Sequence, residues 1–190
     1  MQIDVYDFDG TIYDGDCTVD FWLYCIRHRP WILYLLPFQG FCFLMLTLKI
    51  FSGTRAKGLF LRYLRHIPVN DEWMRRFYER KKHKLMPWFK PEKNALPTVI
   101  ISASPQFIVE ALCINFNVKT IIGTRCDIKK GAILGKNCKR EEKIRRLHEL
   151  YDTPVIRRMY TDSLKNDRPL LLLAKERYLV KNRQVVVISG

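Results

Sequence analysis

The sequence predicts an α/β protein, a parallel sheet with helices on its faces that is interrupted after its first strand by a helical insertion. Three observations carry this reading. A strand-like segment, residues 2–8, runs straight into a cluster of four aspartates, Asp7, Asp9, Asp14 and Asp16. The next strong strand signal, residues 97–102, comes about eighty residues later, and the apolar residues between the two recur at helical spacing. After Ser102, strands and helices alternate.

Taken in order, residues 2–8 form the first strand. Val19, Trp22 and Ile26 then mark a helical face, as do Phe60, Tyr63, Leu64 and Ile67, and after them Trp73 and Phe77. This places a helical cap at 15–86 and divides the core into 1–14 and 87–190. Beyond the strand at 97–102, Ser104 reads as a helix N-cap with Pro105 at the first helical position. Residues 118–124 are a strand, 125–137 a hairpin turning at Lys130-Gly131, and 139–151 an amphipathic helix. Residues 155–162 are a further strand that again ends in an acid, and 177–181 and 183–189 close the chain as β segments.

Composition sets the outer bounds. With 190 residues, 48% of them hydrophobic, the chain buries a core of one domain plus an insertion. Its 33 Lys and Arg against 19 Asp and Glu, spread along the length, make the surface electropositive and favour anionic partners: nucleic acid, anionic lipid or phosphorylated metabolites. Nucleic acid is the weakest of these, since no helix-turn-helix, zinc-finger or single-strand-binding motif is present. Six cysteines at irregular spacing, with no C-x-x-C pair, read as reduced and buried. The four histidines have no ligand spacing and read as surface residues. No secretory signal precedes the first strand, so the expected location is cytoplasmic.

In parallel sheets ligands bind at the carboxyl ends of strands, so Asp7 and Asp9, Ser102 and Asp162 are expected to converge. Carboxylates gathered in this way repel one another unless a cation neutralises them. Hard oxygen ligands predict Mg2+.

Four stretches, in order, carry a resemblance: DFDGT at 7–11, IISASP at 100–105, KREEKIRRL around Lys143, and YTDSLKNDRPLL around Asp162. They resemble the four motifs of the haloacid dehalogenase superfamily, and within it the phosphoserine-phosphatase-like subfamily, whose helical cap follows the first motif. The resemblance implies a Rossmann-like parallel sheet, phosphomonoester hydrolysis through an aspartyl-phosphate, and a Mg2+ cofactor. It implies Asp7 as nucleophile, Asp9 as acid and base, and Lys143 as the cation steadying both Asp7 and the phosphoryl group. Thr11, Ser102, Ala103 and Lys143 would bind the substrate phosphate, and Asp7, Asp9, Asp162 and Asp167 would serve the metal. Asp167 follows Asp162 by five residues, where four is commoner in the subfamily. Lys143 is preferred over Lys139 because Leu147 and Leu150 follow it at helical spacing. Asp16 stands where phosphoserine enzymes carry a glutamate that holds the substrate amine, and the shorter acid argues against that substrate.

The insertion holds a second informative stretch. From Pro30 to Leu48 the chain carries no charge. That length could cross a bilayer, but a single crossing would separate Asp7 from Ser102 and Asp162. Pro37 and Gly40 are expected to break it into a helical hairpin, either packed as cap core or dipped into one leaflet. The cap's 13 Lys and Arg against 5 Asp and Glu, with Arg27, Arg29, Arg55 and Lys57 flanking the run, favour contact with an anionic membrane surface or with substrate. The run resembles that of bacterial phosphatidylglycerophosphatases. This implies a phospholipid head-group phosphate as substrate and a peripheral position on the cytoplasmic face; a soluble metabolite phosphatase is the alternative.

Overall fold

A computed structural model describes residues 1–188. Its strands are β1 (Gln2–Tyr6), β2 (Thr98–Pro105), β3 (Thr120–Thr124), β4 (Cys126–Asp127), β5 (Ala132–Ile133), β6 (Val155–Thr161), β7 (Glu176–Lys181) and β8 (Gln184–Val187). Six of them form one sheet in the order β3-β2-β1-β6-β7-β8, parallel throughout except for the β7–β8 hairpin. The hairpin turns on Asn182 and Arg183, both at positive φ. The predicted strand 183–189 is therefore shorter than expected, and Ser189 lies outside the described residues. The separate β4–β5 ladder is the hairpin expected around Lys130-Gly131.

The core is a three-layer α/β arrangement, because β1 sits centrally and is buried on both faces. Ile3 and Val5 point to one side, where they are buried with Val99, Ile101, Met159, Leu147 and Leu170. Tyr6 points to the other and stacks on Tyr160 at 4.4 Å, which stacks on Tyr178 at 4.5 Å. Buried Asp4, on that same face, accepts from the Arg158 guanidinium of the neighbouring strand. Helix α5 (Gln106–Leu112) covers β2 and β3, while α6 (Glu141–His148) and α7 (Arg168–Leu173) lie on the opposite face.

One expectation fails here. Ser104 is not the N-cap of α5: the strand runs on through Pro105, and α5 begins at Gln106 without a side-chain cap. Its hydroxyl has another partner, described below.

The insertion consists of α1 (Cys17–His28), α2 (Leu36–Thr47), α3 (Gly53–Phe60) and α4 (Asp71–Lys81), joined by 3-10 turns at Pro30–Leu35 and Leu61–His66. Asp16 caps α1, its Oδ1 accepting from Thr18 N–H at 2.8 Å and Val19 N–H at 3.0 Å. The two ends of the insertion are tied together, with Asp14 N–H donating to Lys84 O at 2.8 Å and Met86 N–H to Ile12 O at 2.7 Å. Asp20 locks the same neck, accepting from Tyr13, Lys81 and Lys84. Burial would raise its carboxyl, but these three donors together hold it below the usual range.

The apolar run also differs from expectation. Pro37 starts α2 rather than breaking a helix, since the first turn needs no N–H there, and Gly40 sits inside the helix. The break falls two residues before Pro37, at Leu35, where 3-10 turn gives way to α-helix. The hairpin partner of α2 is α3.

Candidate active site

The three parallel strands β1, β2 and β6 end side by side, and the loops leaving them carry the acids and hydroxyls. Asp7 follows β1 and is buried; its N–H donates to Tyr160 O at 2.9 Å, which ties it to β6. The chain then turns through Gly10 at φ +72°. A Cβ at this position would lie 2.4 Å from Asp162 Oδ2, so glycine is required both by the backbone and by the closeness of that carboxylate.

From the opposite face, α6 delivers Lys143, whose side chain is only 3% exposed. Its Nζ lies 2.6 Å from Asp7 Oδ1 and 2.6 Å from Asp167 Oδ1. Asp167 Oδ2 accepts from Thr161 Oγ1 at 2.6 Å. Asp167 is thus already engaged with Lys143 and β6. Lys139, the rival in register, is exposed.

Asp9 is held by different partners. Cys17 N–H donates to its Oδ1 at 2.7 Å; Ser104 Oγ donates to Oδ2 at 2.5 Å, and Ser102 Oγ reaches the same oxygen at 3.4 Å. Thr18 Oγ1 lies 2.9 Å from Ser104 Oγ, so the first turn of α1 supports this cluster. Ser104 and Thr18 are site residues that the sequence reading did not assign. A signal for Ser104 was present: in a strand, residues two apart share a face, so Ser102 and Ser104 point together. Among the described residues, Thr11 Oγ1 is buried without a hydrogen-bond partner.

The four cap cations do not act alike. Arg27, Arg29 and Arg55 are exposed on the insertion. Lys57 instead turns inward, its ammonium donating to Ala103 O at 2.8 Å, a carbonyl that also accepts from Thr124 Oγ1 at 2.5 Å. Burial pushes the Lys57 ammonium below its ordinary value, with nearby Asp9 and Asp16 opposing.

Burial also dominates the electrostatics of the acids. It pushes Asp7 up to about 7, with Lys143 opposing and Asp167 and Asp9 adding to the rise. Asp9 is raised by burial and by Asp16. Asp162 is raised by burial and by Asp167. Burial disfavours the Lys143 charge, but Asp7 and Asp167 outweigh it and hold the ammonium protonated.

Among the described residues no three His, Cys, Asp or Glu side chains converge closely enough to hold an ion unaided. The donor chemistry nevertheless fits Mg2+, which takes one or two carboxylates and completes its shell with waters and substrate oxygens. Asp162 approaches the Gly10 turn that follows Asp7, so two hard carboxylates stand at this turn.

A family model, haloacid dehalogenase-like hydrolase, matches residues 5–172. The chain belongs to the haloacid dehalogenase-like hydrolases. Among solved structures, a protein of unknown function from Bordetella pertussis Tohama I is similar over 93% of this chain and 88% of its own, at 16% identity and TM-score 0.69. A probable phosphoserine phosphatase from Vibrio cholerae is similar over 93% of this chain at 14% identity and TM-score 0.64. This chain spans 55% of that protein's length. A phospho-aspartyl intermediate analogue of phosphoserine phosphatase matches at 12% identity and TM-score 0.55, covering 93% of this chain and 84% of that one. No curated protein matches the chain in sequence. At these identities the solved structures establish the shared fold; with the family match they support the phosphatase class that the four motifs implied.

Proposed function

We propose that this enzyme is a Mg2+-dependent phosphomonoester hydrolase that works through an aspartyl-phosphate on Asp7 and takes its phosphate from a phospholipid head group. The chemistry rests on one arrangement, a buried Asp7 whose Oδ1 is held by Lys143 while Oδ2 is left to attack. In the first step Asp7 Oδ2 bonds to phosphorus, the bond from phosphorus to the leaving oxygen breaks, and protonated Asp9 gives that oxygen its proton. In the second step water attacks the phosphoryl group, Asp9 takes the water's proton, and the acyl-phosphate bond breaks to free phosphate and Asp7. The raised Asp9 pKa suits a group that must begin protonated.

The Lys143 ammonium opposes the charge gathering on the phosphoryl oxygens. The Ser102 and Thr11 hydroxyls and the Ala103 N–H bind those oxygens, with Lys57 above them as the cation of the cap. Asp7, Asp162 and the Asp9 carbonyl would hold Mg2+, which supplies the remaining positive charge when bound. In this reading Asp167 orients Lys143 instead of ligating the metal, as its two carboxylate contacts support. Residues 15–86 act as a cap over the site, joined to the core through the neck at Asp14 and Met86.

The substrate class rests on the apolar run. Of the 18 residues from Pro30 to Thr47, 17% are buried. Phe41 is 50% exposed, Leu44 51% and Phe43 67%, a state that costs free energy in water and suits the boundary of a lipid leaflet. Arg27, Arg29 and Arg55 flank the run, the last with its guanidinium 4.2 Å over the Phe51 ring. A substrate panel containing phosphatidylglycerophosphate and soluble monoesters, phosphoserine among them, is the test, run with Mg2+ and with chelator. We expect preference for the lipid monoester, loss of turnover in chelator, and none in Asp7→Asn. Preference for a soluble ester refutes the lipid reading; an Asp7→Asn rate above about a tenth of wild type refutes the nucleophile.

A further inference from the structure

We infer that the core supplies the electrostatic half of a membrane-docking surface, a collar of cations around the mouth of the site that adjoins the apolar end of α2 and seats on an anionic bilayer. The inference extends the lipid-phosphatase reading above, but the collar is a separate observation on separate residues.

Lys136, Lys139, Arg140, Lys165 and Arg168 are all exposed, and among the described residues none of them has an ion-pair partner. They group at two adjoining hollows. One, of about 550 Å3, is lined by Lys136, Lys139 and Arg140 together with Gly53, Thr54 and Glu142, the last already paired with Arg145. The other, of about 560 Å3, is lined by Arg140, Lys165 and Arg168. Arg140 belongs to both, as does Glu141, the one acid they share. The same two segments carry the buried site residues: Arg140 is three residues before Lys143, Lys165 three after Asp162, and Arg168 follows Asp167. The collar therefore lies on the same two chain segments as the buried site residues.

The apolar run reaches this collar. Asn137 N–H donates to Thr54 Oγ1 at 3.2 Å, which fixes the start of α3 against the collar. Only a few residues earlier the chain bears Leu48 and Ile50, 57% and 62% exposed. Unpaired like charges crowded on one rim repel one another unless an anionic partner faces them. A single substrate phosphate is already met by Lys143 and Lys57 inside the site, so five further cations outside it call for an extended anionic surface. A nucleic acid would answer the charge, but it would leave the neighbouring aliphatic side chains in water. A bilayer answers both, because its head groups meet the cations while its acyl boundary takes the aliphatic side chains. Docked in this way, the mouth faces the lipid.

The test uses the full chain in chelator and vesicles of phosphatidylcholine, with or without about a third phosphatidylserine, so that no phosphomonoester is present. Wild type should co-sediment with the anionic vesicles, and binding should fall at least tenfold between about 0.1 M and about 1 M salt, as the screening length drops from ~10 to ~3 Å. Lys139→Gln with Lys165→Gln should weaken binding by about tenfold or more. Arg75→Gln with Arg80→Gln, an equal charge change on α4 outside the collar, should weaken it by less than about twofold. Matched thermal midpoints establish that both pairs fold. Equal losses in the two pairs, equal binding to neutral vesicles, or an RNA oligonucleotide that displaces the vesicles at equal charge concentration would each overturn the inference. Binding to these vesicles together with preference for a soluble ester in the Mg2+-loaded substrate panel would refute the substrate reading alone and leave the docking surface standing.

Discussion

Replacing Lys143 by methionine keeps the length of the side chain and removes its charge. The Lys143 side chain is 3% exposed and its two partners, Asp7 and Asp167, are 11% and 1% exposed, so water cannot take its place. Removing one member of a buried ion pair typically costs ~3–5 kcal/mol, a large share of the ~5–15 kcal/mol that holds a domain together. For a chain of this size each kcal/mol corresponds to roughly 2–4 °C in Tm, so the midpoint should fall by roughly 6–20 °C. The sign of the pH effect follows from linkage. The raised pKa of Lys143 keeps its contribution constant between pH 5 and pH 8, below both its folded and unfolded values. Asp7 is raised to about 7 even with Lys143 present, and loss of the ammonium raises it further. A carboxyl that holds its proton more tightly when folded makes stability fall as pH rises above its ordinary value. The variant should therefore lose most at pH 8 and least at pH 5, and adding Asp7→Asn should recover more than ~1 kcal/mol by relieving one unpaired charge. Urea unfolding in chelator at the two pH values measures all three quantities. A loss under ~1 kcal/mol that does not change with pH would refute the buried triad.

Three further outcomes follow from specific contacts. Gly10→Ala should weaken Mg2+ activation at least tenfold, because its Cβ would meet Asp162 Oδ2 and a left-handed alanine adds ~1–2 kcal/mol of strain; a Mg2+ titration of activity checks it. Ser104→Ala removes a donor to the Asp9 carboxylate, so it should lower kcat about tenfold with KM little changed. Since that bond favours the charged form, its loss raises the Asp9 pKa, and the pH–rate profile should move to higher pH. Phe41→Ser with Leu44→Ser should weaken vesicle binding about tenfold, at ~1 kcal/mol for each half-exposed side chain, while urea stability changes by less than ~1 kcal/mol.

Much of this protein was determined by the sequence alone, because the signals are local. A short strand-like segment, an acid at its end and helical periodicity through the insertion are all written in neighbouring residues, and they place Asp7, Ser102 and Asp162 at adjacent strand ends. The register of Leu147 and Leu150 chose Lys143 over Lys139, although only Leu147 is buried and Leu150 is exposed. What the sequence could not determine is which partner each polar atom takes, because those partners lie 136 residues apart for Lys143 and Asp7 and 95 apart for Ser104 and Asp9. Only the folded chain turned Ser104 from a helix cap into a donor to Asp9, gave Asp167 to Lys143 and aimed Lys57 inward while Arg27, Arg29 and Arg55 stayed outside. The apolar run shows the same division. Composition made Pro30–Thr47 apolar enough to be either core or surface, and tertiary packing decided, since α1 and the 3-10 turn Leu61–His66 supply most of the cap's buried side chains and leave α2 with little to cover it.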